Sequence, residues 1–299
     1  MNIDFKNFRK NGYIAFQSGL STSEISQLRN FLLVNIKDGE SCEYCIDFAL
    51  QNDNIFKTLF LKQIIKKLKK LSNEIYYLAD LNIQINKINV SGKNKGWHID
   101  SNFEDYLKAD YLFLEEYRFY KIGIYLQDNS LQFGGGIDIK KGSHKSFKNF
   151  DRRTLNVLHK DLINKIPRKK YRVPLKAGDV VIFDSRLAHA SSSSQMSTDK
   201  IKTKNMKIVL YWDVAGRLED AQNYLNAMIV KTFINKRIDK NIFNYNFLRH
   251  SYPNSFNEFQ KKLAIDNKVS FASLNEDDAN YFSKKYSKFI DDKNSFLKL

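Results

Sequence analysis

Near residue 82 the spacing of apolar residues changes from a period of 3.6 to a period of 2, and no helix of regular crossover length alternates with the strands that follow. Strands are expected at residues 82–90, 119–126, 179–183 and 207–212, separated by Gly-, Asn- and Ser-bearing turns. Parallel neighbours need a crossover of a dozen residues or more, usually helical, so this order disfavours a doubly wound sheet. What remains is a β-sandwich or open barrel, buttressed by helices before and after it.

The flanks read as those helices. Leu20-Ser-Thr-Ser-Glu-Ile25 offers a Ser or Thr cap with Glu in the first turn, ahead of Ile25, Leu28, Phe31 and Leu32 at helical spacing. A second amphipathic run is expected over about 53–79, with Phe56, Leu59, Phe60, Ile64, Leu68, Leu71 and Ile75 on one face. Lys62, Lys66, Lys67, Lys69 and Lys70 lie mostly on the other, as the solvated side of a helix packed on a core. Residues 216–299 return to helical and irregular patterning, with a frayed tail expected after about 285.

Charge narrows the partners. Lys+Arg 49 against Asp+Glu 33 leaves a formal net charge of +16, which favours an anionic partner: nucleic acid, an acidic substrate or a membrane surface. With 42% hydrophobic residues and three Pro, the chain can build a core and is neither collagenous nor disordered. Cys42 and Cys45 form one C-x-x-C without the second pair that a zinc site needs, and read as ordinary thiols in a reducing compartment. The N-terminus has no apolar signal region, and no apolar run reaches the ~20 residues of a membrane span. A cytoplasmic location is expected, compatible with peripheral contact at a membrane surface.

Five histidines are candidates for chemistry: His98, His144, His159, His189 and His250. His98 and Asp100 stand two residues apart after a strand, so they can present an imidazole and a carboxylate on one face. His189 follows the apolar strand at 179–183 and can deliver a second imidazole. Two His and one carboxylate on one side of a metal suit Fe(II), and zinc takes similar ligands.

Four stretches in chain order resemble the phytanoyl-CoA dioxygenase family. They are Asn11-Gly-Tyr-Ile-Ala-Phe16 with the helix after it, His98-Ile-Asp100, Gly134-Gly-Gly-Ile-Asp-Ile-Lys-Lys-Gly-Ser-His144, and Gly178-Asp-Val-Val-Ile-Phe183 with His189. The resemblance covers about residues 5–214. It implies an α+β protein: a double-stranded β-helix, or jelly-roll barrel, over 1–214 with its N-terminal helices, and a helical C-terminal extension over 215–299 packed on the same domain. It also implies a hydroxylase that uses Fe(II), 2-oxoglutarate as cosubstrate and O₂, with His98, Asp100 and His189 as metal ligands. Relatives that halogenate have a small residue at the Asp100 position, so the retained carboxylate implies hydroxylation. His144 is implied to support a loop, while His159 and His250 match nothing and read as structural or surface residues.

One departure concerns the cosubstrate. The family places an Arg soon after the distal His to pair with the far carboxylate of 2-oxoglutarate, yet no Arg occurs between His189 and Trp212. Lys207, which opens a strand and shares a face with Val209 and Tyr211, is the candidate, with Lys204 as the fallback. A lysine neutralises a carboxylate as a point charge, without the fork of arginine. Ser191–Ser194 lacks an acid–base partner and reads as a flexible polar turn.

Residues 140–172 hold twelve Lys and Arg against Asp151 and Asp161, a net of +10. In the resembled fold this connection lies by the barrel mouth, where Lys145, Arg152 and Arg153 would attract a small anionic substrate such as an acyl-CoA or an acidic or phosphorylated sugar. Nucleic acid is not expected as an obligate partner. Two other readings remain open: a catalytically inactive barrel serving as a basic binding module for anionic lipid or nucleic acid, and a zinc hydrolase on the same ligands.

Overall fold

The computed structural model describes residues 3–34, 42–44, 49–86, 95–100, 116–129, 134–145, 168–194, 206–225 and 256–272. Its centre is two facing β-sheets. The larger runs in the order β1 (Tyr13–Gln17), β8 (Asp179–Asp184), β5 (Phe119–Tyr125), β10 (Lys207–Ala215), β3 (Tyr76–Asn86) and β11 (Ser270–Ala272), with β2 (Cys42–Tyr44) also on β3. The smaller runs β4 (Lys95–His98), β9 (His189–Ser191), β6 (Ile137–Lys140) and β7 (Lys170–Arg172). All pairs are antiparallel except β11 with β3. The expected strands near 82, 119, 179 and 207 are β3, β5, β8 and β10.

Strand alternation divides the interior in two. On β10, Ile208, Leu210, Trp212 and Val214 face one way, and join Ile122 and Ile124 of β5 and Val180 and Ile182 of β8 in a core beneath the helices. Val209 and Tyr211 face the other way, into the space between the sheets with Tyr125, Val181, Phe183, Ile137 and Ile139. Every residue of β10 is therefore buried, because both faces are covered. This is the double-stranded β-helix.

The helices cover the outer core: α1 (Ile3–Asn11), α2 (Thr22–Leu33), a short α3 (Asp53–Phe56), α4 (Lys62–Leu71) and α5 (Glu258–Asn267). α2 begins at a capping box, Ser21 Oγ accepting from Glu24 N–H at 3.2 Å and Glu24 Oε2 from Ser21 N–H at 2.7 Å. It buries Ile25, Leu28 and Leu32, but Phe31 is 43% exposed. The helix expected over 53–79 is broken. Leu61 is extended between a 3₁₀ turn at Lys57–Phe60 and α4, and α4 stops at Ser72. Tyr76 and Tyr77 then pair with Ala215 and Val214 of β10, so tertiary pairing overrides the helical spacing of Ile75. The break leaves Phe56 against Phe60 and Phe256, with ring centroids 5.4 Å apart in each pair. In the C-terminal region α5 is joined by β11, a strand too short to show a period.

Gly134 shows how tightly the smaller sheet closes. Its φ is +65°, and a Cβ there would lie 2.8 Å from the Ser192 carbonyl oxygen. Gly134→Ala is expected to destabilise the protein by about 2–4 kcal/mol, from left-handed strain plus overpacking. The urea midpoint measures this, and an unchanged midpoint would show that the loop yields.

Among the described residues, no helix is long and apolar enough to cross a membrane.

Candidate metal centre

The end of β4 and the start of β9 are adjacent, and His98 pairs with His189 across them, ring centroids 4.3 Å apart. Asp100 lies just past β4, where its backbone N–H donates to Ser185 O at 2.9 Å. One ligand atom from each of the three side chains falls within a 4.8 Å span. His98 Nε2 is 3.8 Å from Asp100 Oδ1, and His189 Nε2 is 3.7 Å from Oδ2.

The imidazoles are oriented for ligation. His98 Nδ1 lies 3.0 Å from Gly96 O, and His189 Nδ1 lies 3.0 Å from Leu187 O. A carbonyl only accepts, so each Nδ1 carries a proton and each Nε2 is turned toward Asp100. Burial, opposed by Asp100, pushes His189 down to about 4, which keeps the ring neutral near pH 7. Two imidazoles and one carboxylate form a donor set that fits a divalent iron ion.

The cavity beside these side chains is also lined by Lys121, Ile137, Lys207 and Tyr211. Its volume of about 70 Å³ admits about five waters, the space of a small molecule. Lys207, 4% exposed, donates from Nζ to Ser191 Oγ at 3.2 Å and lies 5.9 and 5.8 Å from the rings of Tyr125 and Tyr211. No carboxylate among the described residues pairs with it. Gly123, opposite Tyr211 in register, makes room for those rings: a Cβ there would meet both at 3.0 Å.

Lys121 was not anticipated. Its Nζ lies 3.3 Å from Asp213 Oδ1 and 3.9 Å from Asp100 Oδ2, bridging a buried carboxylate to the triad. The signal was a lysine in the middle of an apolar strand, on the same face as Tyr125.

Other candidates fall elsewhere. Lys204, Arg152, Arg153, His159, His250 and Cys45 lie outside the described residues. Lys145 lines a separate cleft on the far side of the larger sheet. None of the described basic residues of 140–172 lines the metal cavity. Arg172 Nε donates to Asp138 Oδ1 at 3.0 Å, and Lys140 and Lys170 lie 5.3 and 5.6 Å from the Trp97 ring. His144 donates or accepts nothing at this centre; its Nε2 lies 3.2 Å from Arg9 O, tying its loop to α1. The serine run is not a flexible polar turn. Ser192, Ser193 and Ser194 are buried, and Ser192 Oγ donates to Asp138 Oδ1 at 2.6 Å, because that carboxylate needs donors inside the sheet.

A jelly roll that gathers two imidazoles and a carboxylate at the end of paired strands is the architecture of a non-haem iron oxygenase. The family model for phytanoyl-CoA dioxygenase matches residues 8–202. The chain belongs to the phytanoyl-CoA dioxygenase family, and with it to the oxygenases that use Fe(II) and 2-oxoglutarate. Among solved structures, EctD from S. alaskensis with bound Fe is 15% identical at a TM-score of 0.50, covering 74% of this chain and 78% of its own. The non-haem α-ketoglutarate-dependent carbocyclase SnoK from nogalamycin biosynthesis is 16% identical at a TM-score of 0.50, covering 72% and 84%. At such identities the likeness is one of fold. No curated protein sequence matches.

Proposed function

We propose that the protein hydroxylates a small anionic substrate, with iron held by His98, Asp100 and His189 and the far carboxylate of 2-oxoglutarate held by Lys207. The observation that carries the cosubstrate assignment is a buried ammonium in the metal cavity that no carboxylate among the described residues neutralises. Burying such a charge is unfavourable unless an anion meets it, and 2-oxoglutarate brings one. Iron with 2-oxoglutarate and O₂ supplies a two-electron oxidation, a substrate C–H becoming C–OH while 2-oxoglutarate becomes succinate and CO₂. The protein's part is orientation. The Nδ1–H bonds to Gly96 and Leu187 set the imidazoles, Ser191 Oγ positions the Lys207 ammonium, and the tyrosines shield it from water.

Lys207→Ala is expected to raise the KM for 2-oxoglutarate about 10–100-fold, the worth of a charge-assisted contact, with kcat at saturation changed far less. Lys207→Arg restores most of the affinity. A KM that stays at the wild-type value in Lys207→Ala would remove this residue from the cosubstrate site.

The anionic substrate is supported by the +16 balance and its concentration in 140–172. Screening anionic metabolites for stimulated succinate release, with mass spectrometry for added oxygen, identifies it. Neutralising Arg152 and Arg153 is expected to lower substrate-stimulated turnover severalfold and to leave uncoupled succinate formation nearly unchanged. Equal loss of both would deny them a substrate role.

A further inference from the structure

Hydrogen bonds from Nδ1 set the two imidazoles of the metal centre. The Asp100 carboxylate needs a device of its own, because the χ2 torsion of an aspartate is broad. Its Oδ1 lies 3.8 Å from His98 Nε2, and its Oδ2 lies 3.7 Å from His189 Nε2. Lys121 approaches Oδ2 from outside the triad, its Nζ 3.9 Å away. At that distance an ammonium attracts the oxygen without hydrogen bonding to it, so it orients the carboxylate and leaves its lone pairs to a metal.

A lysine can do this only when its own flexible stem is held. Lys121 sits in the middle of β5, and Asp213 stands opposite it in register on β10. Asp213 Oδ1 is 3.3 Å from Lys121 Nζ, and the Asp213 side chain is 1% exposed. The other oxygen, Oδ2, accepts from the Tyr224 hydroxyl at 3.2 Å. Tyr224 belongs to the helical turns at 218–225, and its ring stacks on Phe119 of β5 with centroids 4.0 Å apart. A chain of contacts thus runs from Tyr224 through Asp213 and Lys121 to Asp100, in surroundings where solvent screens charge little.

We propose that Lys121, held by Asp213 and Tyr224, is a positioning residue for the metal site: it fixes the rotation of the Asp100 carboxylate, so that a metal meets a donor set already in place. The inference rests on the reading of His98, Asp100 and His189 as the ligands. It gives Lys121 a task distinct from that of Lys207, which is assigned to the cosubstrate.

The test is titration of the full, metal-free chain with Co(II), whose visible absorption reports coordination geometry, with affinity measured in parallel by calorimetry. Lys121→Met alone would strand the buried Asp213 carboxylate. It is therefore combined with Asp213→Asn, which removes both charges of the pair and keeps the fold. The double variant is expected to bind Co(II) about tenfold or more weakly than the wild type, with shifted absorption bands. Lys121→Arg keeps the charge and is expected to stay within about threefold of the wild type, with the wild-type spectrum. Tyr224→Phe keeps the stack on Phe119, loses only the hydroxyl and is expected to weaken Co(II) about threefold. Wild-type affinity and spectrum in the double variant overturn the inference while the triad stands. So does a Lys121→Arg protein as weak as the double variant, which would make shape rather than charge the cause. Asp100→Ala checks the underlying reading: if it binds Co(II) like the wild type, the ligand assignment itself fails and the inference falls with it.

Discussion

Asp100→Ala is expected to lower turnover by about 10³-fold or more while leaving the protein folded, because it removes the one negative donor of the proposed iron site. His189 is neutral and His98 is half-exposed, so the anionic share of the donor set rests on this carboxylate. Its removal should weaken binding of Fe(II) under anaerobic conditions, and of Ni(II) as a redox-inert probe, by about 10²-fold or more. The fold should survive, because Lys121 keeps Asp213 at 3.3 Å when its more distant partner at 3.9 Å is lost. Asp100 also contributes through its backbone N–H to Ser185 O, and alanine preserves that bond. Metal affinity and succinate formation at wild-type levels in a folded Asp100→Ala protein would sink the triad assignment. His98→Ala is the companion variant, acting at the exposed edge of the site.

What the sequence made legible follows from what it encodes locally. The i, i+2 spacing of His98 and Asp100 survives folding because it lies at the end of a strand. His189 was reachable because an apolar strand and a short turn precede it. Lys207 stood out through the missing arginine, and strand alternation then placed it on the Val209–Tyr211 face. Lys121 escaped notice because its significance is a cross-strand relation: Asp213 stands opposite it in register, and no local pattern records that. The serines at 192–194 misled for the same reason, their polarity being answered inside the sheet by Asp138 and neighbouring backbone. The 53–79 segment kept its apolar residues buried but not its single helix, since hydrophobic spacing does not register a break at Leu61 or the pull of β10 on Tyr76 and Tyr77.

Arg186→Met is expected to cost about 3–5 kcal/mol of stability, the largest structural effect of any substitution considered, because it strands a buried carboxylate. Asp184 is 3% exposed and takes three bonds from Arg186: the backbone N–H at 2.9 Å, Nε at 2.8 Å and Nη2 at 2.7 Å. Burial alone would raise the Asp184 carboxyl, but Arg186 beside it and these bonds hold it below its ordinary value of 3.8. A carboxyl depressed on folding contributes stability above its unfolded pKa, and that contribution is lost as pH falls through the folded value. The cost of Arg186→Met should therefore be greatest near neutral pH and shrink in acid, where the stranded Asp184 takes up a proton. Asp184→Asn combined with Arg186→Met should recover much of the loss, since no buried charge is left uncompensated. The turn that holds this pair runs straight into His189, and its Ser185 links Asp100 N–H to Phe119 O. Single-variant protein that remains folded at low temperature should accordingly bind Ni(II) more weakly than wild type, although residue 186 touches no ligand atom. Urea midpoints at neutral and acid pH for the wild type and the two variants decide the matter: equal losses at both, with no recovery in the double variant, would mean that Arg186 acts through its stacking on Tyr117 at 4.9 Å rather than through Asp184.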